Sequence, residues 1–189
     1  ACSSLNSSTV TLTVNPLPTA TVSGTTTVCK DATAPTVTFT GAGGTAPYTF
    51  TYNINGVGSF TVTSTGNVAT VSAPTGTAGT FAYNLVSVVD ASSTLCVQAQ
   101  SGTATITVNP LPTATVSGTT TVCKDGTSPA VTFTGAGGTA PYTFTYNING
   151  VGSFTVTSTG NIATVSAPTG AAGTFPYNLV SVVDASAPL

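Results

Sequence analysis

The sequence predicts an all-β chain built of tandem antiparallel β-sandwiches. Three observations carry that expectation. The chain is rich in Thr and Val, whose branched side chains pack well on a pleated surface, and its 20 Gly and 12 Pro supply frequent turns. Apolar residues alternate with Thr in short runs such as Thr36-Val-Thr-Phe-Thr40, the period of a strand with one buried face. The sequence also repeats: Asn15-Pro16-Leu17-Pro18 returns as Asn109-Pro110-Leu111-Pro112, a shift of 94 residues.

Over 15–94 and 109–188 the copies differ at 8 of 80 positions: Ala32/Gly126, Ala34/Ser128, Thr36/Ala130, Val68/Ile162, Thr77/Ala171, Ala82/Pro176, Ser93/Ala187 and Thr94/Pro188. Neither copy carries a private cluster of polar groups. A unit of this length suits a seven-stranded, immunoglobulin-like sandwich. In the first copy the expected strands are 19–23, 36–40, 48–54, 58–64, 68–72, 80–89 and 103–108. Gly41-Ala-Gly-Gly44, Thr65-Gly-Asn67 and Pro74-Thr-Gly76 break between them, and Asn55-Gly56 is a strong hairpin signal. Val37, Phe39, Phe50, Phe60, Val71, Phe81, Leu85, Ile106 and their counterparts form the expected core. Tyr83, two residues before Leu85, is placed like the tyrosine corner of immunoglobulin-like domains. Asn-Pro-Leu-Pro reads as a short stiff linker, because proline fixes φ and favours an extended path.

The repeat starts and stops out of phase. Residues 2–14 align with 96–108, the closing strand of the first sandwich, so that Val10, Leu12 and Val14 correspond to Ala104, Ile106 and Val108. Leu189 aligns with Leu95, leaving the second sandwich without that strand. The expected organisation is an orphan closing strand at 1–14, a complete sandwich at 15–108 and an open one at 109–189. The simplest remedy is donation of Val10, Leu12 and Val14 by a neighbouring copy, or continuation of the same long chain through further repeats. The chain does not begin with Met and carries no signal peptide, so it reads as a mature protein or a window of a longer one.

Four cysteines allow three pairings. Cys29 with Cys96 lies within one repeat and is the preferred pair. That leaves Cys2 and Cys123 to join neighbouring units. Such bonds imply an oxidising, extracellular or cell-surface location.

The remaining chemistry is sparse. The charged residues are Lys30, Lys124, Asp31, Asp90, Asp125 and Asp184, and there is no His. Without imidazole there is no default base near neutral pH, so no catalytic residue is assigned and no enzyme activity is expected. Two cations cannot neutralise a run of phosphates, which argues against nucleic acid as a partner. Four scattered carboxylates cannot form a calcium cage, and no metal or cofactor is expected. No apolar run is long enough for a membrane-spanning helix.

The run from Asn15-Pro-Leu-Pro-Thr-Ala-Thr-Val-Ser-Gly-Thr-Thr-Thr-Val-Cys29-Lys through Phe39-Thr-Gly-Ala-Gly-Gly-Thr-Ala-Pro-Tyr-Thr-Phe-Thr-Tyr-Asn-Ile-Asn-Gly56 resembles the PKD-like and immunoglobulin-like repeats of large Bacteroidota surface proteins. These include gliding adhesins exported by the type IX system. The resemblance implies a stalk, adhesin body or spacer. Together with the repeat, it points to an extracellular filament or stalk of end-to-end sandwiches assembled head to tail. The alternative is an adhesin module that binds a glycan or a substratum through its loops.

Overall fold

The computed structural model describes residues 8–186. The described residues form fifteen strands: β1 (Thr19–Ser23), β2 (Thr26–Cys29), β3 (Thr36–Ala42), β4 (Thr49–Ile54), β5 (Val57–Thr63), β6 (Val68–Ser72), β7 (Gly79–Val89), β8 (Val97–Ala99), β9 (Thr103–Asn109), β10 (Thr113–Ser117), β11 (Ala130–Ala136), β12 (Thr143–Ile148), β13 (Val151–Thr157), β14 (Ile162–Ser166) and β15 (Tyr177–Val183). Residues 8–14, the described part of the expected orphan strand, pair with no strand. By its contacts the chain divides into two compact units. One holds the residues up to Thr25, Pro35–Ala73 and Phe81–Ile106, and the other holds Thr26–Ala34, Pro74–Thr80 and Thr107 onward.

In the first repeat, one sheet has the order β1-β3-β6 and the other β2-β9-β7-β4-β5, with β8 also on β7. Hydrophobic alternation places these strands. In β3, Val37 and Phe39 are fully buried while Thr36 and Thr40 face water. In β4, Phe50 and Tyr52 point inward, and the Phe39 ring lies 5.7 Å from Phe50 and 5.1 Å from Tyr52. The hairpin from β4 to β5 turns on Asn55 and Gly56, at φ 53° and 77°, the left-handed pair of a two-residue turn that matches strand twist. Tyr48 lays its ring over Gly41, where a Cβ would come within 2.5 Å of the ring. Its hydroxyl donates to the Gly44 carbonyl at 2.9 Å. The hydroxyl-to-backbone tie thus comes from Tyr48, four residues from its acceptor, while Tyr83 stacks on Tyr52 at 6.1 Å.

The second repeat has the sheets β10-β11-β14 and β13-β12-β15. Its centre is built like the first: Phe133 lies 5.7 Å from Phe144 and 4.9 Å from Tyr146. Tyr142 covers Gly135 as Tyr48 covers Gly41.

Seven strands were expected in the first repeat, and β2 and β8 were not among them. Of the expected core, Val37, Phe39, Phe50, Leu85 and Ile106 are buried. Phe60 is not: it is 44% exposed, because β5 is the edge strand of its sheet. Val71 and Phe81 are half-buried.

Candidate functional site

The two repeats are a natural comparison, because nearly the same sequence folds twice, into nine strands (β1–β9) in the first and six (β10–β15) in the second. In the first, β9 buries Ala104, Ile106 and Val108 to 0–2% exposure. It runs antiparallel along β7 behind β8, with the amide of Leu85 donating to Gly102 and the Thr103 hydroxyl donating to Asn84 Oδ1 at 2.8 Å. On its far side it meets β2. The Thr105 amide donates to Thr25 Oγ1 at 3.0 Å, and the Lys30 amide donates to the Asn109 carbonyl at 2.7 Å. These contacts advance together along both strands, so β2 and β9 run in the same direction.

The second repeat carries the same Thr119-Thr-Thr-Val-Cys-Lys124, yet it forms no strand there. The difference lies in context, since β2 pairs with β9 alone. The consequences spread inward. Val122 and Phe175 become 45% and 41% exposed, where Val28 and Phe81 are half-buried. Tyr177, Leu179 and Val182 are half-buried, where Tyr83, Leu85 and Val88 are buried. Strand β15 begins at Tyr177, whereas β7 begins at Gly79, the counterpart of Gly173. Pro176 contributes, because the amide of its counterpart Ala82 donates to Asn55 Oδ1 at 2.7 Å and proline has none.

What remains is an open groove of about 690 Å³, lined by Val116, Val122, Val131, Ala167, Phe175 and Tyr177 among others. It lies where β9 would lie by repeat equivalence. The expected donor residues Val10, Leu12 and Val14 are 92%, 86% and 82% exposed.

At the other end of β7, a carboxylate organises the chain. Asp90 is buried and accepts from the amides of Thr45, Ser92 and Cys96 and from the Ser92 hydroxyl. Burial pushes its carboxyl up, but the Ser92 hydroxyl and these amides outweigh burial and hold it below its ordinary value. Asp184 is lowered in the same way. Burial opposes the shift, and the Thr139 amide and Ser186 hydroxyl override it. Lys30 pairs with exposed Asp31 at 2.8 Å, and Lys124 with Asp125 at 3.6 Å. These are surface pairs of little energetic weight.

Cys29, Cys96 and Cys123 are free thiols, and Cys2 lies outside the described residues. The expected Cys29–Cys96 bond is not formed, and the topology gives the reason. Cys96 sits where β7 ends, its carbonyl accepting from the Asp90 amide. Cys29 ends β2, next to Asn109 at the opposite end of the β8–β9 run. Strands rise about 3.3 Å per residue, so Val97–Ala99 and Thr103–Asn109 alone, one after the other along β7, span roughly 30 Å. A disulfide holds its Cα atoms about 4.4–6.8 Å apart. Sequence spacing concealed this, because it does not reveal in which direction β2 lies along β9.

Among the described residues, no three His, Cys, Asp or Glu side chains gather as metal ligands, and no helix is long and apolar enough to cross a membrane. No family model matches the sequence, and no curated protein does. Among solved structures the chain is similar to one described as "Biofilm associated protein - BSP domain", at 16% identity and a TM-score of 0.27. The alignment covers 92% of this chain and 30% of that one.

Proposed function

We propose that this chain is a structural unit of an extracellular fibre that grows head to tail by strand addition. Residues 8–14 of one copy enter the groove of the next and become its closing strand. The observation that supports this reading is the pair of repeats itself: Thr26–Cys29 forms a strand against β9, and its identical counterpart at 120–123 forms no strand where β9 has no equivalent.

The register follows from the shift of 94 residues. Val10, Leu12 and Val14 replace Ala104, Ile106 and Val108, whose side chains are buried in the first repeat. Each burial contributes roughly 1.5–3 kcal/mol for a side chain of this size. Thr9 takes the place of Thr103, so its hydroxyl would donate to Asn178 as Thr103 donates to Asn84. The groove and the donor segment are different surfaces. Such a contact is heterologous and propagates instead of closing.

Electron microscopy and sedimentation of the intact chain test the proposal. Thin filaments are expected, with an axial repeat on the order of 70–90 Å from two sandwiches of ~9-residue strands and their linkers. A chain lacking residues 1–14 is expected to stay monomeric. A stable, filament-free monomer of the intact chain would refute it. Mass spectrometry finding one polypeptide through many such units would replace strand addition with a continuous stalk.

A further inference from the structure

The thiols that do not meet within a repeat are each placed beside a linker. Cys29 precedes Lys30, whose amide donates to the carbonyl of Asn109 at 2.7 Å, and Asn109 opens the linker that leaves the first repeat. Cys96 stands beside the linker that leads into that repeat. Its Sγ lies 3.2 Å from Thr94 Oγ1, which accepts from Asn15 Nδ2 at 2.9 Å. Asn15 and Asn109 are the same residue of the repeat. By repeat equivalence each Asn-Pro-Leu-Pro would lie between a Cys29-type thiol from the repeat it leaves and a Cys96-type thiol from the repeat it enters, although Pro188 stands in the second repeat where Thr94 bonds Asn15.

At Asn109 the first of these is Cys29. The second would be the counterpart of Cys96 in the second repeat, and the closing strand supplies it. Cys2 is that counterpart by the 94-residue shift. The docked strand has a ready anchor there. Asp90 Oδ1 accepts from the Cys96 amide at 2.9 Å, and Asp184 occupies the equivalent place in the second repeat.

We infer that two disulfides staple each junction of the fibre: Cys29 with Cys2 of the copy whose strand fills the groove, and Cys123 with Cys96 of that same copy. This pairing rests on the strand-addition reading and replaces the expected Cys2–Cys123 bond. Cys123 is the counterpart of Cys29, and the docked Cys2 takes the place of Cys96, so these two would lie at opposite ends of the completed sandwich. Each bond forms by loss of two protons and two electrons from two thiols. A small-molecule disulfide such as oxidised glutathione accepts them and leaves as two glutathione thiols.

The test uses the intact chain assembled with oxidised glutathione from an equal mixture of ¹⁴N- and ¹⁵N-labelled protein. Non-reducing peptide mapping is expected to find Cys2–Cys29 and Cys96–Cys123, each with mixed-isotope pairs. The double variant Cys29→Ser/Cys123→Ser is expected to form the same filaments by microscopy. It should fall to monomers in SDS without reductant, where the unaltered protein gives a ladder. Filaments that carry free thiols, Cys29–Cys96 or Cys2–Cys123 would overturn the stapling and leave strand addition standing. Absence of filaments in both proteins would overturn both.

Discussion

Ile106→Ala tests how far one buried side chain of β9 controls the rest of the first repeat. Ile106 is fully buried, and truncating such a residue costs about 2–5 kcal/mol through lost transfer energy and the cavity left behind. For a domain of this size even a 2 kcal/mol loss lowers the melting temperature by about 8–16 °C. The structure adds a second, local expectation. Strand β2 has β9 as its partner in the sheet, so loosening β9 should free Cys29, which is half-buried, while Cys123 is already exposed. With reduced protein, labelling by a chromogenic disulfide followed by peptide mapping gives both rates. In the unaltered chain Cys29 should react more slowly than Cys123, and in Ile106→Ala the two rates should converge. A large drop in melting temperature with Cys29 labelling unchanged would refute the dependence of β2 on β9.

Other outcomes follow from single contacts. Tyr48→Phe keeps the ring over Gly41 but removes the 2.9 Å bond to the Gly44 carbonyl, and urea unfolding should register a loss of about 0.5–1.5 kcal/mol. Gly41→Ala drives a methyl into that ring and should cost about 1–3 kcal/mol in the same assay. Asp90 has a folded pKa below its unfolded one, so its contribution is complete above roughly pH 4 and is lost as pH falls through the depressed folded value. Melting curves from pH 5 to 2 should show this acid slope, and Asp90→Asn should flatten it. Phe60→Ser, on the half-exposed edge strand, should cost less than Phe39→Ala, for which about 3–5 kcal/mol is expected from a fully buried ring.

Local signals made much of the fold readable. Strands 19–23 and 68–72 stand where alternation and turn residues put them, and Asn55-Gly56 makes the hairpin. Strand β2 was not readable in principle, since Thr-Thr-Val-Cys is a strand in one repeat and irregular in the other. Its pairing is a long-range event that no local pattern encodes. Strand β8 is three residues long and exists through its register with Ser87–Val89. Phe60 kept the alternation of a buried position but lies on an edge, and period alone does not distinguish edge from centre. The lack of a counterpart to 96–108 after Leu189 was legible from the phase of the repeat. The ends at which the cysteines lie were not, because they depend on the relative direction of β2 and β9.

The most direct measurement is amide hydrogen exchange of a chain lacking residues 1–14, titrated with a reduced peptide spanning residues 1–15. Saturable protection of Tyr177–Val183 and of 120–123 is expected, with the segment around Cys123 becoming as protected as Thr26–Cys29. Replacing Leu12 with Asp in the peptide should abolish it. Protection confined to other strands, or none at saturating peptide, would contradict the claim that this segment is the missing strand.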